Sequence, residues 1–561
     1  VFAKEGLPLE SASVPSGAAI IYYQVEDLGY VSILKARADA QTSIESIEIP
    51  ETICGLDVRV IKEEAFKDCG NIKNIILPDS ITEIQNGAFY ECTALKSIEI
   101  PDSVTSIGES AFAGCKNLET VKLPKDLTCI DIGTFSDCTA LTSIDIPDKV
   151  TDIKQAAFSG CISLESINIP QSVKSIGRGA FFGCQSLTGI TIPSNVTRIE
   201  QETFRYCMAL EEIDIPDSVT SIGYNAFANC TSLKSITIPF SVKSIEDGAF
   251  AYCTSLKTAY LPYGASYGTN FIPDGTAKIY YTKNPDGTVT ISDVKEGNET
   301  SFVIPETICG AAVTALGDAA FEVNENITSI ILPDSITSIG YGAFSYCSSL
   351  QSIKLPKNIT SIEINTFADC ISLTDIEIPE NVTSIKSGAF RKCNSLTKIT
   401  LPDKLTEIGD AAFRDCPRLA EINMPSGLTS IGERTFKNCA FAAIELPENL
   451  QSVGSDAFLD CVDLIKLFYP AGVDISAASV PETSAKIKYE IRDGYAYILE
   501  IVPDNSNTPV VIPDYICGYE VKYVEEEYRQ YVSETGHTHK GGTATCTEQA
   551  LCDICGKSYD S

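Results

Sequence analysis

Apolar residues in this chain fall at fixed offsets of a 23-residue period. Residues 95–117 read LKSIEIPDSVTSIGESAFAGCKN, with Leu95, Ile98, Ile100, Val104, Ile107, Phe112 and Cys115 spaced among mostly polar neighbours. The Ile98-Glu99-Ile100 triplet alternates inward, outward, inward, as a short strand does, and Pro101 ends it. Val104 to Ile107 is a second extended step, and Gly108 permits the turn after it. Glu109 to Cys115 then closes the coil, and a helical or 3₁₀ turn is expected there. The Ala-Phe or Thr-Phe step recurs at this spacing from Phe66 to Phe250 and again from Phe321 to Phe458. A fixed period of this length is the mark of a solenoid in which each repeat is one coil stacked on the next. About 16 rungs in two blocks are expected, mostly short parallel strands and turns. A single rung buries too few side chains to offset the ordering of its own backbone, so the coils must stack to fold.

A second, rarer pattern punctuates the first. IPETICGLDVRVI at 49–61 returns as IPETICGAAVTAL at 304–316 and as IPDYICGYEVKYV at 512–524, each after a Tyr-rich extended stretch. Each is read as a hairpin-like cap whose Ile-x-Gly widens the first turn. The first two lead into rungs. The third runs into VEEEYRQY with no Ala-Phe step, and Arg529 sits where Phe is expected. The resulting division is an N-terminal β cap at 1–48, a first block at 49–262 and a boundary with the second cap at 263–303. A second block follows at 304–475, then a third, partial cap at 476–528 and a Cys/His tail at 529–561. Separate blocks meeting at a rigid joint are favoured, because the Gly-, Pro- and Tyr-rich residues 260–281 break the period.

Composition narrows the function. Net charge is −33, so the averaged field repels phosphate backbones and anionic lipid, and nucleic acid is excluded as an expected partner. The chain contains no run of 18 apolar residues, and direct membrane insertion is not expected. It starts at Val1 and stops just after a cysteine motif, so a fragment of a longer protein is expected. The two histidines, His537 and His539, both lie in the tail, leaving the repeat body without the commonest general base. No enzyme activity is expected.

Fifteen of the 22 cysteines occupy the rung position, from Cys69 to Cys253 and from Cys347 to Cys461. In-register parallel strands hold their Cβ atoms beyond disulfide reach, so a buried ladder of free thiols is expected. Cys54, Cys129, Cys309 and Cys517 lie off the ladder and are expected unpaired. No cofactor is expected in the repeat body. In the tail, Cys552 and Cys555 form a Cys-x-x-Cys knuckle, with Cys546, His537 and His539 upstream. Structural zinc, free thiols and a disulfide all fit this set.

The recurring phrase Leu-x-x-Ile-x-Ile-Pro, then Val-x-x-Ile-Gly, Ala-Phe and Cys, closely resembles the BspA-like, or Treponema-type, leucine-rich repeats. The resemblance covers roughly residues 44–260 and 304–469. Local departures are Asn324 in place of a rung Cys, and a 22-residue interval from Cys439 to Cys461. The tail resembles a short cysteine motif near the ends of clostridial surface proteins. The resemblance implies a bacterial or protist protein, extracellular or at the cell surface, used for adhesion or host contact.

Two surfaces are candidates for a protein partner. The middle residues of the Ile-x-Ile strands paint a stripe that includes Glu99, Lys122, Asp145, Asp214 and Tyr260. A ridge beside the rung cysteines carries Tyr90, Phe182, Tyr206, Tyr252 and Tyr346, and such aromatics are favoured at interfaces. The expected function is a non-enzymatic, adhesin-like binding protein, monomeric, with a rigid solenoid engaging protein partners. The alternatives are a spacer presenting another domain of a larger surface protein, or an accessory array of a surface enzyme.

Overall fold

The computed structural model describes residues 2–5, 19–37, 44–295, 297–505, 509–532, 550–551 and 558–559. Two units divide the chain, Val1–Lys278 and Ile279–Ser561. Both are leucine-rich-repeat solenoids with almost no helix.

In the first unit each rung retraces the one before it. Strand Thr120–Lys122 pairs in parallel with Ser97–Glu99, Thr120 facing Ser97 and Lys122 facing Glu99. The two-residue step Ser106–Ile107 pairs the same way with Glu83–Ile84. Partners are therefore one whole repeat apart, and equivalent positions lie above one another. The phenylalanines from Phe66 to Phe250 form an unbroken buried stack with ring centroids 5.0–5.6 Å apart. Beside it runs the thiol ladder. Cys92 Sγ donates to the Phe66 carbonyl at 3.0 Å and Cys115 Sγ to the Phe89 carbonyl at 3.2 Å, so each thiol ties its rung to the previous one. All the cysteines in the described rungs and caps are free thiols. Burial pushes the Cys207 thiol up to about 12.

The turn that closes each coil differs from the expected helical one. Two of its residues take the left-handed conformation, as at Asn225 (φ 52°) and Asn229 (φ 64°), which a right-handed helix cannot continue through. Alternate amides of the turn leave the rung altogether: Phe227 N–H donates to the Ala249 carbonyl of the next coil at 2.7 Å. The amides between them bond within the turn, as Ala228 N–H does to the Asn225 carbonyl at 3.1 Å, so the closing segment is held both by itself and by its neighbour.

The second unit repeats this scheme, with Phe321 to Phe458 stacked at 5.1–5.8 Å. Both local departures have a physical account. Asn324 is buried, and its Nδ2 donates to the Val294 and Phe321 carbonyls at 3.1 and 2.8 Å, replacing the thiol with a two-fold donor. In the shortened interval Phe441 is fully buried and meets Phe436 edge-on at 5.5 Å, filling the space a rung leucine takes elsewhere.

The three caps share one design. In the first, Ile20–Val25 pairs antiparallel with Val31–Arg37, which pairs in parallel with Leu56–Ile61 through a one-residue register shift. Thr52–Ile53 folds back antiparallel on Leu56–Ile61. The Cys-Gly between them is a two-residue type I′ turn, with both residues left-handed: Cys54 (φ 53°) and Gly55 (φ 80°). Cys309-Gly310 and Cys517-Gly518 repeat it. Each turn cysteine lies against a tyrosine of the preceding hairpin: Tyr23 by Cys54 at 3.4 Å, Tyr281 by Cys309 at 3.6 Å and Tyr489 by Cys517 at 3.4 Å.

The caps differ in the chain segment they lead into. The Ile61 carbonyl accepts Gln85 N–H at 2.9 Å, and the Leu316 carbonyl accepts Gly340 N–H at 2.9 Å, each donor belonging to the next rung. The third cap leads into a 3₁₀ helix, Glu526–Tyr531, and Arg529 Nε donates to the matching Val524 carbonyl at 3.0 Å. A guanidinium stands in for the missing rung amide, and buried Val524 stays covered.

Candidate binding surfaces

The strand face of the first unit is built by period-two alternation. Ile98, Val121 and Ile144 point into the core, and Glu99, Lys122 and Asp145 stand on the outer face, exposed. Glu99 pairs with Lys122 across one rung, and Lys125 with Asp102 at 3.1 Å. Lys149 reaches Asp126 at 2.6 Å. A shallow groove of about 510 Å³ runs past Ile76, Glu99 and Lys122. A neighbouring one of about 580 Å³ is lined by Lys122, Lys125, Asp145, Asp148 and Lys149. Asp214 is exposed further along the same stripe, whereas Tyr260 is half-buried and burial pushes its hydroxyl up to about 12.

The ridge beside the rung cysteines is less continuous than its sequence suggests. Phe182 and Tyr206 meet edge to face at 5.5 Å, and the Arg205 guanidinium lies 5.9 and 5.0 Å from their ring centres. Glu202 anchors Arg205 at 2.7 Å. Tyr90 is half-buried near Lys67. Tyr252 stands two rungs beyond Tyr206, 71% exposed, and Tyr346 in the second unit is 47% exposed. Of the five aromatics, only Phe182 and Tyr206 are brought together. Tyr206, Tyr252 and Tyr346 share a backbone oddity: all three sit at the left-handed residue before the rung cysteine, with φ of 64°, 61° and 61°. Most rungs place Asp, Asn or Gly there, residues that tolerate this conformation better than a bulky ring does.

At the end of the second unit the stripe is covered. Phe468 occupies an outward rung position yet is only 2% exposed, contrary to its place in the sequence pattern. The third cap lies on it: Phe468 packs in one buried cluster with Ile487, Ile512 and Val521. The cap also reaches the rung before. Cys517 N–H donates to Glu445 Oε2 at 2.9 Å, the Tyr519 hydroxyl to Glu448 Oε1 at 2.8 Å, and Lys466 Nζ to the Val511 carbonyl at 3.0 Å.

The sequence pattern alone did not single out Glu445 with Glu448, nor the matching Asp145 with Asp148. The available signal was the recurring Ile-acid-Ile/Leu-Pro-acid phrase, which places two carboxylates on one rung edge. Ile76 and Ile331, apolar residues at the same outward point of the first rung in each unit, are exposed on the stripe as its alternation predicts, 48% and 47% accessible. The tail set His537, His539, Cys546, Cys552 and Cys555 lies outside the described residues. Among the described residues, no group of three or more His, Cys, Asp or Glu side chains could hold a metal ion. No helix there is long and apolar enough to cross a membrane.

Comparison with known proteins bears on the rungs. A family model described as BspA type leucine rich repeat region matches residues 32–165, 151–272, 314–441 and 406–480. Among solved structures, the chain is similar to a leucine-rich repeat protein from Bacteroides ovatus, at 26% identity over 84% of this chain and 98% of that one, with a TM-score of 0.36. A leucine rich cell surface protein from Faecalibacterium prausnitzii is 29% identical over 72% and 92%, with a TM-score of 0.26. A leucine rich repeat protein of T. pallidum is 30% identical over 33% and 87%, with a TM-score of 0.31. No curated protein matches the chain.

Proposed function

The chain belongs to the BspA-type leucine-rich repeat family, and on that premise we propose that it is a non-enzymatic protein-binding scaffold, adhesin-like, working at the cell surface or after secretion. One observation carries the reading. Inward positions of the rung are uniformly apolar, whereas the outward position changes freely from Glu99 to Lys122 to Asp145 on an open strand face. A rigid frame with a variable, accessible face suits recognition of an extended protein surface. Little of that face is spent on stability, because solvent screens ion pairs as exposed as Glu99–Lys122.

The test is capture from panels of extracellular matrix, serum and epithelial surface proteins by the purified chain. It is repeated with Asp145→Asn plus Asp214→Asn on the stripe, and with Tyr206→Ser plus Tyr252→Ser on the ridge. Specific capture that one variant pair removes is expected. Capture of nothing by the unaltered chain would replace this reading with that of a spacer.

A further inference from the structure

The outward strand face is bare over most of the first unit, but in the second unit the chain lays a segment of its own across it. That segment is a type I′ hairpin, Tyr515–Ile516 turning through Cys517-Gly518 into Tyr519–Val524. Glu445 takes the turn's free Cys517 N–H at 2.9 Å, and Glu448 takes the Tyr519 hydroxyl at 2.8 Å. Two carboxylates, three residues apart and separated by a proline, thus receive two donors that lie two residues apart on a hairpin. Both are charge-assisted hydrogen bonds, stronger than neutral ones and directional enough to set the register of the docked strand.

Asp145 and Asp148 repeat this arrangement without an occupant. Ile144-Asp145-Ile146-Pro147-Asp148 matches Ile444-Glu445-Leu446-Pro447-Glu448 position for position, and the inward residues of both segments are buried. Glu99 and Asp102 keep the same spacing, but Lys122 and Lys125 already hold those carboxylates, while Asp214 with Asp217 and Glu377 with Glu380 keep it without lining either groove described above. Among the described residues Asp145 and Asp148 make no ion pair, and both line the 580 Å³ groove. Asp145 is faced across the sheet by Asn168, where Glu445 is faced by Phe468. The smaller neighbour lets a hairpin come closer to the sheet, as the shorter aspartates require.

We propose that the strand face at Asp145 and Asp148 is a docking site for a β-hairpin of a protein partner. The hairpin that fits has a two-residue turn presenting a free backbone N–H to Asp145, and a tyrosine two residues later whose hydroxyl reaches Asp148. This deepens the scaffold reading and rests on it: the partner is recognised through a hairpin edge, as the chain recognises its own third cap.

The probe is a cyclised peptide of residues 512–524 carrying Cys517→Asn, which removes the thiol and tolerates the left-handed turn position. It is added to the full chain, and carboxylates are labelled with a carbodiimide and an amine, then read by mass spectrometry. Without peptide, Asp145 and Asp148 are expected to label readily, and Glu445 and Glu448 poorly. With peptide, labelling of Asp145 and Asp148 is expected to fall by about tenfold, while a peptide with Tyr519→Phe leaves Asp148 largely unprotected. Unchanged labelling of both aspartates at about 1 mM peptide, a concentration that detects even weak docking, would overturn the proposal. So would protection at Asp148 that the Tyr519→Phe peptide reproduces in full. A chain that captures protein partners in the panels above yet shows no protection here keeps the scaffold reading and loses the hairpin site.

Discussion

Asp145 and Glu445 hold the same position in rungs of different units, yet Asp145 faces solvent and Glu445 lies under a hairpin. The rungs that carry them are alike inside: Ile144 and Ile444 are both buried, and both lie beside a phenylalanine stack and a thiol ladder. What differs arrives from elsewhere in the chain, some 70 residues beyond Glu445, where Cys517 supplies the covering amide. Inward positions are therefore fixed by the rung itself. The fate of outward positions is decided by whatever comes to lie on them, whether a cap of the same chain or a partner.

The largest expected effect tests the claim that the insides are equivalent. Burial raises Cys207 in the first unit and Cys416 in the second to about 12, from the usual 9.0. A thiol raised in the folded state favours folding fully below its unfolded pKa, and that contribution is lost as pH rises through the folded value. Between pH 9 and 12, stability should fall by about 1.4 kcal/mol per pH unit for each such thiol, reaching about 4 kcal/mol each. Urea unfolding at stepped alkaline pH checks this, and Cys207→Ala and Cys416→Ala should each flatten the slope by a similar amount. Next in size, Phe158→Ala and Phe413→Ala should each cost about 3–5 kcal/mol by denaturant unfolding. Loss confined to one unit would break the equivalence.

Outward positions should separate the two regions. Glu445→Ala leaves the Cys517 amide without its carboxylate, and should speed hydrogen exchange across 512–524 by the equivalent of about 1–3 kcal/mol. Asp145→Ala, at the matching site, should change stability by less than about 0.5 kcal/mol. The smallest effect is expected on the ridge. Tyr252→Asn places a residue tolerant of positive φ at a left-handed position, and should raise stability by about 0.5–1 kcal/mol in thermal unfolding.

These contrasts also explain what the sequence made legible. Phe112, Cys115 and Ile98 were readable as core because each repeats every 23 residues, and each is buried. The closing turn was not, since Glu64, Ser110, Ala156 and Tyr206 all adopt left-handed φ at positions whose composition varies from rung to rung. Gly133, Gly160 and Gly183 in the same places were the available hint. Phe468 holds an ordinary outward rung position, and nothing at that position signals the third cap that buries it, since the covering residues from Ala485 to Val521 lie outside the rung. Arg529 was visible as an interruption, but its bond to the Val524 carbonyl required knowing which acceptor the absent rung had left. Of the candidate surfaces, the stripe at Glu99, Lys122 and Asp145 emerged as a continuous face, whereas the aromatic ridge reduced to the Phe182–Tyr206 pair and isolated tyrosines.

The most direct test of the strand face as the binding surface is amine cross-linking of the chain to a captured protein partner, with linked lysines identified by mass spectrometry. Lys122 and Lys149 line the groove beside Asp145 and should carry the cross-links. Cross-links concentrated instead at Lys67, beside Tyr90 on the turn ridge, with Lys122 and Lys149 unlinked, would contradict it.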